Sequence, residues 1–260
     1  VMKPEYIKQW LRKLALLDYN MLMLYTKDTY KLPGEEYFGY LRGAYTVAEL
    51  QDIDRCAQQL GIEMVGAIQA LGHLEPVLKW PAYNNVRDTI SVLLTSEDKT
   101  YELIGKMLDF YTEAFQSRRI HLGMDETFGL GRGRYMNLNG FCPAFDIYNN
   151  HLARVMELCD RRRLKPMIWS DMYFRMGSRN MDYYDMCSKI PEAVSTKIPP
   201  KVQLVYWDYY HDDEVFYREW IRRHQAIGHQ PVMASGIWTW PELWYNHRKT
   251  SETITPCISA

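Results

Sequence analysis

"RRIHLGMDETFGLGRG", residues 118–133, decides how this chain is read. A short apolar run ends in adjacent acids, Asp125 and Glu126, and glycines follow at once. Carboxylates are costly to bury, so an acid pair at the end of an apolar run is either solvated or employed. Read as a strand, the run sends His121, Gly123 and Asp125 to one face and Ile120, Leu122 and Met124 to the other. Gly123 then leaves space beside His121 and below Asp125, and Glu126 falls where the strand gives out. Two carboxylates sharing a cleft above a histidine repel each other and are partly desolvated, which favours the protonated carboxyl a general acid requires. The plain alternative is a solvated acidic loop.

Outward from this stretch, helical patterns alternate with apolar runs. "PEYIKQWLRKLALLD" precedes "YNMLMLYTKD", and "TVAELQDIDRCAQQLG", closed by Gly61, precedes "IEMVGAIQALGH". "SEDKTYELIGKMLDFYTEAF", with Ser96 as N-cap, leads into the opening stretch. "FDIYNNHLARVMELCDRRR" leads to "KPMIWSDM"; a Pro-rich connection leads to "KVQLVYWDYY"; "DDEVFYREWIRRHQAIG" leads to "QPVMASGIWTW". A last helix begins at "TITPCISA". Strands recurring about every 40 residues with helices between them define parallel βαβ units. No glycine-rich phosphate turn follows the first strand, which argues against a doubly wound sheet. Polar residues follow every strand, as on the functional face of a (β/α)8 TIM barrel: Asp28, His73, Asp125–Glu126, Trp169–Asp171, Tyr206–Asp208 and Trp240–Glu242. The fold expected is therefore a TIM barrel catalytic domain occupying residues 1–260 as one partial domain. The chain opens and closes on helices, so the first and last strands are expected to lie outside this sequence. Six strands alone would leave unpaired edges, and the start at Val1 suggests that the native N-terminus is absent.

Composition excludes other classes. The chain has 260 residues, 47% hydrophobic and 24% charged, with net charge −1. That suits a large globular core and provides no basic field for nucleic acid or membrane surfaces. No apolar run reaches the roughly 20 residues that span a bilayer. The five cysteines have no CxxC spacing and there is no Asn-x-Ser/Thr acceptor, which fits a cytoplasmic address. A small molecule or glycan is the expected partner, with a second copy of the chain left open and no cofactor or metal expected.

The strand ends resemble those of family 20 glycoside hydrolases, the β-N-acetylhexosaminidases. "HLGMDE" is similar to the family's His-x-Gly-Gly-Asp-Glu, and "ALGHLEP" resembles its Pro-Gly-His segment, giving His73. "MIWSD" gives Trp169, "YWD" gives Tyr206 and Asp208, and "WPE" gives Trp240 and Glu242. "YTKDTY", "LRGAYT" and "LGHLEP" look most like the hexosaminidase D branch. The resemblance implies a retaining reaction in which the substrate's own 2-acetamido oxygen attacks the anomeric carbon. It gives Asp125 the task of orienting that amide, Glu126 that of acid and then base, and Tyr206 a hydrogen bond to the amide oxygen. Trp169, Trp238 and Trp240 would wall the sugar pocket, Asp208 and Glu242 would accept from sugar hydroxyls, and His73 and His121 would support the acids. Asp28 matches the family's acidic position on the second strand only loosely, and Arg42 reads as structural. Two departures stand out. Met124 replaces the second glycine, on a side chain expected to face the helices, and the family's arginine lies on a first strand that this sequence lacks.

Three rival readings use the same residues differently. A metal-dependent lyase or hydrolase would use His121, Asp125 and Glu126 as ligands. A non-catalytic amino-sugar-binding protein would not need the proton donor that the acid pair supplies. Nucleotide binding by "GLGRGR" is weakened because Arg134 stands at the third glycine's place.

Overall fold

A computed structural model of the chain describes residues 1–240 and 243–260. The elements run in the order α1 (Pro4–Leu16), β1 (Met21–Tyr25), α2 (Val47–Gln59), β2 (Glu63–Ala67), α3 (Glu75–Leu78), α4 (Asp98–Ala114), β3 (Arg119–His121), α5 (Arg134–Asn139), α6 (Ala144–Arg161), β4 (Lys165–Trp169), α7 (Asp171–Gly177), α8 (Glu192–Ser195), β5 (Gln203–Trp207), α9 (Glu214–Ala226), β6 (Val232–Ala234) and α10 (His247–Ser259). They form two compact units, Val1–Met167 and Ile168–Ala260, and the chain passes from one to the other within β4.

In the first unit the strands are parallel and in register. Met21 to Tyr25 lie opposite Glu63 to Ala67, Ala67 lies opposite His121, and His121 lies opposite Met167. In the second unit β5 runs parallel to β6, with Val205 opposite Val232. Just after β4, the Ser170 amide donates to the Val205 carbonyl at 3.0 Å. Hydrogen-bonded neighbours therefore follow sequence order from β1 to β6. Parallel strands in sequence order, joined by helices, are the pattern of a partial (β/α) barrel, as the periodicity implied.

Local chemistry explains the elements. Thr46 caps α2 through a reciprocal box: the Glu49 amide donates to Thr46 Oγ1 at 3.2 Å, and the Thr46 amide donates to Glu49 Oε2 at 2.8 Å. Gly61 then turns the chain at φ +71°. α4 buries Leu103, Ile104, Met107, Leu108, Phe110, Tyr111 and Ala114, and each large apolar side chain removed from water contributes about 2 kcal/mol. Tyr111 lies so close to the sheet that a Cβ on Gly66 would fall 2.4 Å from its ring. In the second unit Phe174, Tyr206, Tyr217, Trp220 and Cys257 form the core.

Three expectations are corrected. Glu97, not Ser96, precedes α4 and makes no side-chain cap; the Ser96 hydroxyl instead accepts from Asn139 Nδ2 at 3.2 Å. α10 starts at His247 rather than Thr253 because the Asn246 side chain accepts from the Lys249 amide at 2.9 Å, leaving Pro256 inside the helix. The opening stretch pairs as strand only over Arg119–His121. Gly123, Met124 and Glu126 adopt φ of +69°, +69° and +46°, so face alternation does not extend to the acids. Among the described residues, no helix is long and apolar enough to cross a membrane.

Candidate active site

The first unit brings Asp125, Glu126 and His73 together. His73 Nε2 lies 3.2 Å from Asp125 Oδ2 and 3.3 Å from Glu126 Oε2. The two carboxylates, Asp125 foremost, push the imidazole up to about 10, so it carries a positive charge through the neutral range. The side chain of Asp125 is 16% exposed and that of Glu126 33%, which leaves Glu126 the more open to a reacting atom.

A side chain that sequence reasoning missed completes the group. Gln69 is buried, and its Nε2 donates both to Asp125 Oδ1 at 3.1 Å and to the Tyr25 hydroxyl at 2.9 Å. Its only sequence signal is a lone polar residue within "VGAIQALG". The space that Gly123 opens is filled by this amide, since a Cβ there would meet Gln69 Oε1 at 2.2 Å. Gly72 serves a similar close approach: a Cβ on it would come within 2.9 Å of the Asp125 carbonyl oxygen.

α6 fixes both segments from behind. The Tyr148 hydroxyl donates to the Met124 carbonyl at 3.1 Å, and one turn on, His151 Nε2 donates to the Ala70 carbonyl at 2.9 Å. His151 Nδ1 lies 3.0 Å from the Tyr101 hydroxyl, which also reaches the Thr95 carbonyl at 3.0 Å. Burial pushes His151 down to about 4, which keeps the ring neutral.

His121 is buried, and its Nδ1 accepts from the Gly123 amide at 3.0 Å, shaping the turn that carries Asp125. Burial pushes it down to about 4. Among the described residues, the group of three close enough to share a cation is His73, Asp125 and Glu126, with ligand atoms within 4.8 Å of one another. That corrects the His121-containing ligand set of the metal reading, and here the charged imidazole of His73 supplies the positive charge between the acids. Asp28 is buried and pairs with Arg42 at 3.0 Å.

The second unit holds the aromatic residues. Trp238 and Trp240 stack with centroids 4.9 Å apart, Tyr209 meets the Trp240 edge at 5.0 Å, and Trp238 Nε1 donates to the Tyr209 carbonyl at 2.7 Å. Trp240 is exposed, whereas Trp169, the last residue of β4, is half-buried. Tyr206 is buried against α9, and its hydroxyl donates to Asp208 Oδ2 at 2.8 Å. Asp208 is also buried, accepting in addition from the Tyr210 amide at 2.9 Å and from His211 Nδ1 at 2.8 Å. The structure thus gives both residues a structural employment that their motif did not announce. Glu242 lies outside the described residues.

The buried histidines set a pH profile for stability. His121, His151 and His224 are each pushed to about 4 by burial, below the ordinary 6.5. Between pH 6.5 and 4 the unfolded chain takes up protons that the folded one refuses, so stability falls with acidification by about 1.4 kcal/mol per pH unit per group at most. His73 acts in the opposite sense. Its raised value makes its contribution complete below pH 6.5 and lost as pH rises toward 10. The urea midpoint is therefore expected to peak near pH 6.5 and to decline on both sides. A midpoint constant from pH 6.5 to 5 would contradict the acid limb, and an alkaline limb unchanged by His73→Gln would contradict the other.

Fold and site together define a class: part of a (β/α) barrel with an acid pair at the carboxyl end of a strand. Whole-chain comparison adds particular relatives. No family model matches the chain. Human hexosaminidase D is 25% identical over 225 residues, covering 82% of this chain and 43% of that protein. A crystal structure of a β-N-acetylhexosaminidase superposes with a TM-score of 0.72 at 14% identity, over 99% of this chain and 58% of that one. The family 20 β-N-acetylhexosaminidase from Streptomyces coelicolor gives 0.62 at 16% identity, over 90% of this chain and 45% of that one. The solved structures bear on fold alone. The sequence resemblance read from the strand ends, to family 20 and its hexosaminidase D branch, is borne out. The chain spans less than half the length of the human relative.

Proposed function

We propose that this chain is the catalytic core of a family 20 β-N-acetylhexosaminidase, residues 1–260 forming one partial-barrel domain of it. It removes terminal β-linked N-acetylglucosamine or N-acetylgalactosamine with retention of configuration. The observation that carries this reading is the acid pair: two consecutive carboxylates, one tied down by Gln69 and His73 and the other more open. The curated relative named hexosaminidase D supports the same substrate class.

The chemistry explains why the acids are adjacent. Most retaining glycosidases place two carboxyls about 5 Å apart, one as nucleophile. Here the substrate's acetamido oxygen forms the bond to the anomeric carbon as the glycosidic bond breaks. Glu126 passes its proton to the leaving oxygen, then recovers one from the water that opens the oxazoline. Asp125 accepts from the acetamido N–H and balances the positive charge that develops on the amide. One sugar therefore occupies both acids, through its first and second carbons. The resemblance gives Tyr206 the hydrogen bond to the acetamido oxygen, a role that requires its hydroxyl to leave Asp208. The same resemblance implies that Trp169, Trp238 and Trp240 would stack on the sugar ring and that Asp208 and Glu242 would accept from its hydroxyls.

Matched aryl β-glycosides with 2-acetamido or 2-hydroxyl groups test this. The acetamido substrate should turn over at least about 10³-fold faster, since only it carries an internal nucleophile, and a chelator should leave that rate unchanged. Comparable rates on both, or a trapped ester between sugar and protein, would refute substrate assistance. Activity lost on chelation would favour His73, Asp125 and Glu126 as metal ligands.

A further inference from the structure

We propose that Tyr25 contacts the substrate, its phenol donating a hydrogen bond to the 3-hydroxyl oxygen of the bound N-acetylhexosamine. This rests on the hexosaminidase reading and extends it to a residue that no strand-end motif singles out.

Five side chains of the first unit form one continuous row. Glu126 Oε2 lies 3.3 Å from His73 Nε2, which lies 3.2 Å from Asp125 Oδ2. Asp125 Oδ1 accepts from Gln69 Nε2 at 3.1 Å, and the same nitrogen donates to the Tyr25 hydroxyl at 2.9 Å. An amide nitrogen has two hydrogens, and both are now assigned. Tyr25 is therefore an acceptor in this row, and its own hydrogen is left to donate. Burial of the hydroxyl raises its titration well above the ordinary range, so it remains a donor at any physiological pH. The residue as a whole is 52% exposed, at the end of β1 and in register with Ala67, which itself lies opposite His121. A half-open phenol whose oxygen is fixed from behind and whose hydrogen is uncommitted is built to meet a ligand.

The order of the row selects the hydroxyl. Glu126 serves the oxygen on the first sugar carbon, and Asp125 the nitrogen on the second. Tyr25 is joined to Asp125 through Gln69, at the end of the row away from Glu126. The next polar substituent around the ring, away from the anomeric carbon, is the 3-hydroxyl. Gln69 thereby positions the acetamido acceptor and the 3-hydroxyl donor from one atom.

A purely supporting Tyr25 would affect every substrate alike, because its loss would loosen Gln69 and Asp125 together. A contact affects only substrates that carry the contacted group. Tyr25→Phe, which keeps the ring and removes the donor, should be assayed on the parent aryl N-acetylhexosaminide and its 3-deoxy and 4-deoxy analogues. Loss of about 10- to 100-fold in kcat/KM is expected on the parent and the 4-deoxy compound, and under about 3-fold on the 3-deoxy compound. The thermal midpoint should not move. The same factor on all three substrates, or no loss on the parent, overturns the assignment. Wild-type protein that fails to prefer the 2-acetamido glycoside refutes the hexosaminidase reading instead, before any variant is compared.

Discussion

Glu126→Gln is expected to slow hydrolysis of alkyl or natural glycosides by about 10³- to 10⁴-fold, the upper range for one proton-transfer group. Glutamine keeps the volume, the hydrogen-bonding capacity and the φ of +46° that position 126 already tolerates. The fold should survive, and only the exchangeable proton is lost. The size of the effect must depend on the leaving group. An alkoxide cannot depart without a proton, whereas a dinitrophenolate can, so the first step on an activated aryl glycoside should be nearly normal. The second step still needs a base to deprotonate water, and the intermediate should accumulate. Azide needs no base and should restore turnover, giving a glycosyl azide of retained configuration. Equal loss on both substrate types, with no rescue by azide, would assign Glu126 to binding and remove it from proton transfer.

The strands were legible because each pairs an apolar run with a polar terminus, a pattern that burial imposes on any parallel barrel strand. Asp125 and Glu126 were legible for the same reason, as acids where apolar residues stop. The shape of the turn that carries them was not. Sequence alternation extends β3 through Met124, yet the chain turns left-handed at Gly123 and again at Met124. The pair of glycines in the family motif fits this turn, which places two consecutive residues at positive φ. Met124 is buried, in keeping with a side chain turned from the cleft, but its backbone bears a cost of about 1 kcal/mol or more that a glycine would not. The Tyr148 hydroxyl on its carbonyl offsets part of that cost. Such compensation is set by tertiary contacts between distant segments and leaves no local signal.

Gln69 was illegible for a related reason. Its partners Tyr25 and Asp125 are 44 and 56 residues away, and a polar residue in an apolar run looks the same whether it is satisfied or functional. The local partners of Tyr206 and Asp208 were no more legible. Tyr206 lies on β5 and Asp208 just beyond it, but spacing cannot say which face meets the helices. Contacts with Trp220 and His224 decide that.

Asp125→Asn should lower kcat/KM by about 10²- to 10³-fold, the range for removing one electrostatic stabiliser of a transition state. The loss should be similar on activated and unactivated glycosides, because the amide must be oriented whatever the leaving group. Asparagine can still accept from Gln69 or His73 through its oxygen, but it brings no negative charge to a developing oxazolinium. Its amide hydrogens would also point toward either the Gln69 amide nitrogen or the charged imidazole, and both are donors. A neutral thiazoline mimic that is protonated on binding should accordingly bind more weakly to the variant. Asp125 is the largest cause of His73's elevation to about 10, so the imidazole should titrate closer to neutrality in the variant, which NMR of its ring protons would read directly. This second readout separates orientation from collapse of the site: lost activity with an unmoved His73 would mean that the two groups are not coupled as the distances require. Loss confined to poor leaving groups would exchange the tasks of the two acids and make Asp125 the proton donor.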